Sequence, residues 1–239
     1  MKRRNALQVL VGLAIVLVIV GALLPATQRI RETPWGELRF NQRSIAIATE
    51  NYSRGFDGIL PHGTSTDLND REMHGWMSAI LPYADEDRVY RMIRFDLPWQ
   101  APENRPAFRE PIRTYFGYYE LRRTDDAGFA LTHFEGNSHV LLRGKSLPIK
   151  DVTDGRSHTI LLGEVSAGFK PWGHPVNLRD PAAGIGATHE QFGTPRPSTT
   201  VLFTMLDGSV RSIKATVSPA VLKALATPAG GEKIDDSDW

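Results

Sequence analysis

Behind a basic start, Met1-Lys2-Arg3-Arg4, the chain carries no charged residue from Asn5 to Gln28. Within that stretch Ala6–Leu24 (ALQVLVGLAIVLVIVGALL) is apolar except for Gln8. As a helix rising 1.5 Å per residue, these ~19 residues span ~28 Å, about the thickness of a bilayer core. The segment predicts a transmembrane anchor, single-pass, with the basic flank cytoplasmic and the rest of the chain exported. A cleaved signal peptide is the competing reading. Its apolar region is usually ~7–15 residues, shorter than this one, although Val20-Gly21-Ala22 offers a small-residue cleavage site.

Composition constrains the rest of the chain. With 239 residues, 41% hydrophobic and 23% charged, one ordinary domain with a packed core is expected. Lys+Arg is 28 and Asp+Glu 27, so nothing favours a nucleic-acid partner. No cysteine is present, which excludes disulfides, thiolate zinc sites, iron–sulfur centres and cysteine nucleophiles.

The remainder reads as α+β. A helix is expected from Glu37 to Tyr52, with Leu38, Asn41, Ile45, Ala48 and Tyr52 on one face and Gly55 and Gly58 ending it. Between Trp76 and Tyr90 a short amphipathic segment is broken by Pro82. The prolines at 98, 102, 106 and 111 predict an extended connector over Leu97–Pro111. Short strands are expected at 115–121, 129–134, 139–143 and 158–164. Val201–Leu206 is apolar on both faces, as a central strand is. Asp207-Gly208 then predicts a type I′ hairpin turn, with Ser209–Lys214 as the return strand. Ser218 and Pro219 open a last helix, and Thr227-Pro228 stops it.

Motifs for chemistry are sparse. The seven histidines show no zinc spacing, and each reads as a surface or loop histidine. His133, His139 and Glu135 could meet across a hairpin as a metal site. Asp85, Glu86 and Asp87 read as a solvated run rather than a calcium cluster. There is no serine elbow and no phosphate-cradling glycine loop, so no catalytic, cofactor-binding or metal-ligating residue is assigned and no cofactor is expected. Trp76, Trp99 and Trp172 read as lids on the core, with a sugar-stacking platform as the sharper alternative.

Several segments carry a family resemblance: LLPATQRIRE (23–32), LRFNQRSIAIATENYSRGFDGILP (38–61), GWMSAILPYADEDRVYRMI (75–93), DLPWQAPENRP (96–106), DVTDGRSHTILLGE (151–164), LFTMLDGSVRSI (202–213) and LKALATPAGGE (222–232). In this order they resemble the planctomycete family of exported proteins that carry a domain of unknown function behind a pilin-like N-terminus. The chain departs from it in lacking cysteines and a prepilin cleavage junction. The resemblance implies a membrane helix followed by a pilin-like head, a helix packed on an antiparallel sheet. It implies an organisation of 1–33 as basic N-terminus, anchor and junction, 34–228 as the α+β domain, and 229–239 as an acidic flexible tail. Its signature turns are Asp154 and Gly155, Gly163 and Glu164 at the strand end, and Asp207 and Gly208; all six are expected to be structural. The function expected is a non-enzymatic, membrane-anchored envelope protein resembling pseudopilins, assembling with itself or with other envelope proteins. An exported ligand-binding module of glycan type is the alternative.

Overall fold

The computed structural model describes residues 34–117, 121–235, 237 and 239. The expected anchor at 6–24 lies outside them, as do 118–120 of an expected strand. The chain divides into two compact units, Met1–Leu38 and Arg39–Trp239, and every described strand lies in the second.

Helix α1 runs from Pro34 to Gly55 over 22 residues. Glu37 in its first turn and Arg54 in its last suit the helix dipole. It ends where Gly58, at φ +79°, donates its N–H to the Ser53 carbonyl at 2.9 Å. Although long enough to span a bilayer, α1 carries Arg39, Arg43 and Glu50 along its middle. Among the described residues no helix is long and apolar enough to cross a membrane. This corrects the expected architecture of a membrane-spanning helix in front of a pilin-like head.

After α1 come a small hairpin, β1 (Thr64–Thr66) and β2 (Glu72–Gly75), then the short helices α2 (Trp76–Ala79), α3 (Asp87–Tyr90) and α4 (Arg105–Arg109). The main sheet is built from β3 (Phe134–Asn137), β4 (Ile160–Glu164), β5 (Leu178–Arg179), β6 (Thr200–Met205) and β7 (Val210–Lys214), in the order β5-β3-β4-β6-β7. Helix α5 spans Pro219–Ala226. The sheet is mixed, because β5 runs parallel to β3 while the other pairs are antiparallel. The purely antiparallel sheet of the expected head is therefore corrected as well.

Alternation along β6 gives the two faces different partners. From one face Gln42 of α1 donates to the Leu202 carbonyl at 3.2 Å and accepts from the Thr204 hydroxyl at 3.2 Å. Asn41 donates to the Phe116 carbonyl at 2.8 Å. On the other face Val201, Phe203 and Met205 join Ile160, Phe192, Ile213, Leu222 and Leu225 in one buried cluster. Burying each large apolar side chain there contributes about 1.5–3 kcal/mol. Asn137 holds α5 over that face, donating to the Ala226 carbonyl at 2.7 Å and to the Ile160 carbonyl at 2.8 Å.

Local chemistry explains where the sequence expectations moved. The expected strand over 139–143 is absent because Asn137 turns the chain: its Oδ1 accepts from His139 N–H at 2.9 Å, and its carbonyl accepts from Leu141 at 2.9 Å. Pairing over 129–134 is limited to bridges at Ala130 and Leu131, and β3 begins only at Phe134. The connector is not extended throughout, since Pro106 sits in the first turn of α4, where its missing N–H costs nothing. The β6–β7 turn is not type I′. Gly208 donates to the Met205 carbonyl at 2.9 Å and sits at φ +82°, whereas Asp207 is not among the positive-φ residues. That combination is a type I turn followed by a left-handed glycine that forms a bulge. The Ser218 hydroxyl caps α5, accepting from Val221 N–H at 3.2 Å.

Candidate functional site

The structure brings the two Asp-Gly turns together at one end of the sheet. Asp207 donates its N–H to the Arg156 carbonyl at 3.1 Å, and Leu206 donates to Thr159 at 2.9 Å. Asp154 turns the other way, its carboxylate accepting from Gly230 N–H at 2.6 Å and Gly231 N–H at 3.0 Å. Gly155, at φ +96°, offers its carbonyl to His158 N–H and the Thr159 hydroxyl. Asp207 accepts from both the N–H and the hydroxyl of Ser209, at 2.8 and 2.6 Å.

Gly163 and Glu164 lie elsewhere, within β4. A Cβ on Gly163 would stand 2.7 Å from the rings of Phe192 and Phe203, so only glycine fits there without a shift. Glu164 is buried, with one oxygen accepting from Arg196 at 2.7 Å and from Leu202 N–H at 2.8 Å. These six residues shape the backbone and pair buried groups, and Asp154 lines a cleft of about 220 Å³ with His158, Ala224 and Glu232.

The metal grouping expected of His133, His139 and Glu135 does not form. Glu135 is wholly buried between Lys170 at 2.9 Å and Arg179 at 3.1 Å. His133 uses both ring nitrogens on backbone, Nδ1 accepting from Gly117 N–H at 2.9 Å and Nε2 lying 3.0 Å from the Arg122 carbonyl. His139 faces Asp180 at 2.9 Å. Among the described residues no group of three His, Asp or Glu could hold a metal ion. His74 and His133 are buried rather than superficial, which corrects the surface reading for these two; the burial that desolvates each ring lowers its pKa below the usual histidine value. His174 is lowered for the same leading reason, aided by the nearby Lys170 charge.

Trp76, Trp99 and Trp172 are 0%, 6% and 0% exposed. Their faces are filled: Trp172 packs on Phe108 and Tyr115, and Trp99 on Phe108, Phe129 and His174. A sugar-stacking platform on these rings is thereby excluded, and the lid reading stands.

Concavity lies where α1 ends. A groove of about 420 Å³ runs between Asp57, Gly58 and Ile59 on one side and Pro148, Ile149 and Lys150 on the other. Its floor is fixed by backbone pairing: Leu60 N–H donates to Leu147 at 3.0 Å, and Ile149 N–H to Gly58 at 2.8 Å. Asp57, at φ +52°, holds a left-handed conformation that costs a non-glycine residue about 1–2 kcal/mol. Ile59 is 39% exposed on the groove, and the adjoining Phe56, stacked on Tyr52 at 4.4 Å, is 49% exposed. Exposed apolar walls on a backbone-braced floor suit an apolar ligand. Nothing in the sequence marks this site, because its two walls come from segments far apart in the chain.

Comparison with known proteins bears on the same region. No curated protein and no solved structure matches the chain. One family model, described as "Protein of unknown function (DUF1559)", matches residues 39–116. Its short name, SBP_bac_10, is of substrate-binding-protein type and not of pilin type. With the absence of a membrane-crossing helix among the described residues, this corrects the pilin-like family resemblance and the pseudopilin function. The single-pass membrane topology and the membrane partner are corrected on the same findings, which do not bear on self-assembly or on other protein partners. What the comparison establishes is a likeness, over about a third of the chain, to a family without a described function.

Proposed function

We propose that this chain is a non-catalytic binding module whose ligand has an apolar body and seats in the groove between Asp57–Ile59 and Pro148–Lys150. The observation that carries the reading is the exposure of Ile59 in a groove whose two sides are joined by backbone hydrogen bonds, with Phe56 exposed next to it in sequence. Such a groove loses no conformational entropy on binding. The substrate-binding-type name of the family matching 39–116 supports the same reading, since that segment supplies the first wall. Burial of the three tryptophans turns the expected ligand class from glycans to apolar molecules.

At about −0.3 kcal/mol per non-hydrogen atom, a ligand of about 20 such atoms binds at about 40 µM. The test is titration of the full chain with 8-anilinonaphthalene-1-sulfonate, followed by fluorescence. Ile59→Ser and Ile149→Ser should each weaken binding several-fold with little change in thermal midpoint. Unchanged probe affinity in the double variant would refute the groove.

A further inference from the structure

Segment 94–104 folds as a flap with its own internal brace. Asn104 is wholly buried, and its side chain accepts from Arg94 N–H at 2.7 Å and donates to the carbonyls of Arg94 and Pro98, each at 3.0 Å. Two hydrogen bonds tie this preformed loop to β2. Trp99 N–H donates to the Met73 carbonyl at 3.1 Å, and the His74 ring lies 2.7 Å by Nε2 from the Leu97 carbonyl. A carbonyl only accepts, so Nε2 carries the proton and the neutral ring presents a bare Nδ1.

That Nδ1 is buried and has no hydrogen-bond partner among the described residues. The ring is 3% exposed and sits against Phe95 at 5.0 Å and Phe108 at 5.9 Å. Neutral, it leaves one buried acceptor unpaired. Protonated, it places a positive charge among aromatic rings, and the Leu97 and Arg94 carbonyls offset only part of that cost of burial.

No neighbouring charge compensates. On the flap, Arg94 and Asp96 pair with each other at 2.9 Å, and Glu103 lies farther along. On β2, Glu72 pairs with Arg143 at 3.4 Å. Helix α4 contributes Arg105 and Arg109, α3 contributes Tyr90 against Phe95, and His174 stands across Trp99. None of these makes an ion pair with His74.

We propose that His74 is an acid-sensitive latch that holds flap 94–104, with its Phe95 and Trp99 rings, closed beside Phe108 and releases it on protonation. Because Asn104 braces the flap internally, the flap opens as a unit and presents an aromatic surface in acid. Burial, which lowers the ring's pKa, places release below the usual histidine range.

The test is hydrogen exchange by mass spectrometry on the full chain at pH 7.5 and pH 5, corrected for intrinsic rates, together with an NMR titration of the His74 ring. In acid, exchange in peptides covering 94–104 should rise at least about tenfold while β4 and β6 keep their protection. The opening midpoint should coincide with the His74 titration. His74→Gln keeps a donor for Leu97 without the titration, and should exchange alike at both pH values. If that variant does not fold, coincidence of the two midpoints in the unaltered chain decides the matter. Opening that persists in His74→Gln, a ring that titrates above 6.5, or simultaneous loss of protection in β4 and β6 would overturn the latch.

Discussion

Arg179 and Glu135 meet at 3.1 Å with their side chains 1% and 0% exposed. Each supplies what the other needs once both are buried. Arg179 also donates to the Ala167, Thr188 and Gln191 carbonyls, so one guanidinium on β5 ties together the segments before and after that strand. Removing the carboxylate leaves a buried cation shared only by carbonyls. Glu135→Gln is expected to cost about 3–5 kcal/mol in denaturant unfolding, the range for breaking one side of a buried pair. A loss below about 1 kcal/mol would mean that the three carbonyls suffice for the guanidinium.

The β6–β7 turn separates backbone need from side-chain need. Gly208, at φ +82°, has open space around its Cβ position, so only conformation penalises a side chain there. Gly208→Val should lower stability by about 1–2 kcal/mol or more. Asp207→Asn keeps an acceptor for the Ser209 N–H and should change the thermal midpoint little. Equal losses in the two variants would show that the carboxylate charge matters.

Gly163 presents the opposite case, an extended glycine excluded by space. A methyl group there would stand 2.7 Å from both Phe192 and Phe203, rings buried in the α5-side cluster. Gly163→Ala should destabilise by about 1–3 kcal/mol through overpacking. The check is a denaturation midpoint lowered at unchanged slope.

Acid stability follows from His133 and His174. In both rings Nδ1 accepts a backbone N–H, from Gly117 at 2.9 Å and from Val176 at 3.0 Å, and burial lowers both pKa values. The unfolded chain takes up these protons near the usual histidine value of about 6.5, and the folded chain only at lower pH. Between the two values the unfolded state binds more protons, so stability rises with pH. It should therefore be full above about pH 7 and fall progressively as pH drops through about 6.5 toward the folded values. Denaturant midpoints at pH 8, 6.5 and 5.5 check this, and a flat profile would contradict it.

Local signals are legible in the sequence. The strand expected at Val201–Leu206 forms as β6, one residue earlier at Thr200–Met205, because an apolar run suits a strand between neighbours, and Ser218-Pro219 starts α5 as a cap and first-turn proline do. Long-range placement is not legible. The spacing of Glu135 gives no sign of Arg179, which is 44 residues away, and His133 reads as polar until Gly117 and Arg122 are brought to its ring. The strand expected at 139–143 is lost to one side chain, Asn137, whose turn-forming bonds override the branched residues after it. The groove is invisible in the sequence because its walls share no segment, and the apolar run at 6–24 dominates a functional reading although it lies outside the described residues.

The Gln42 clamp has a consequence for biosynthesis. Its partners, Leu202 and Thr204, lie 160 and 162 residues downstream. At about 5–20 residues per second, a ribosome needs roughly 8–32 s after making α1 to supply the strand on which that helix rests. Throughout that interval the amide of Gln42 has no strand to bond. Moving the chain ends so that α1 follows β7 in the sequence would close that gap and should speed refolding more than it alters stability.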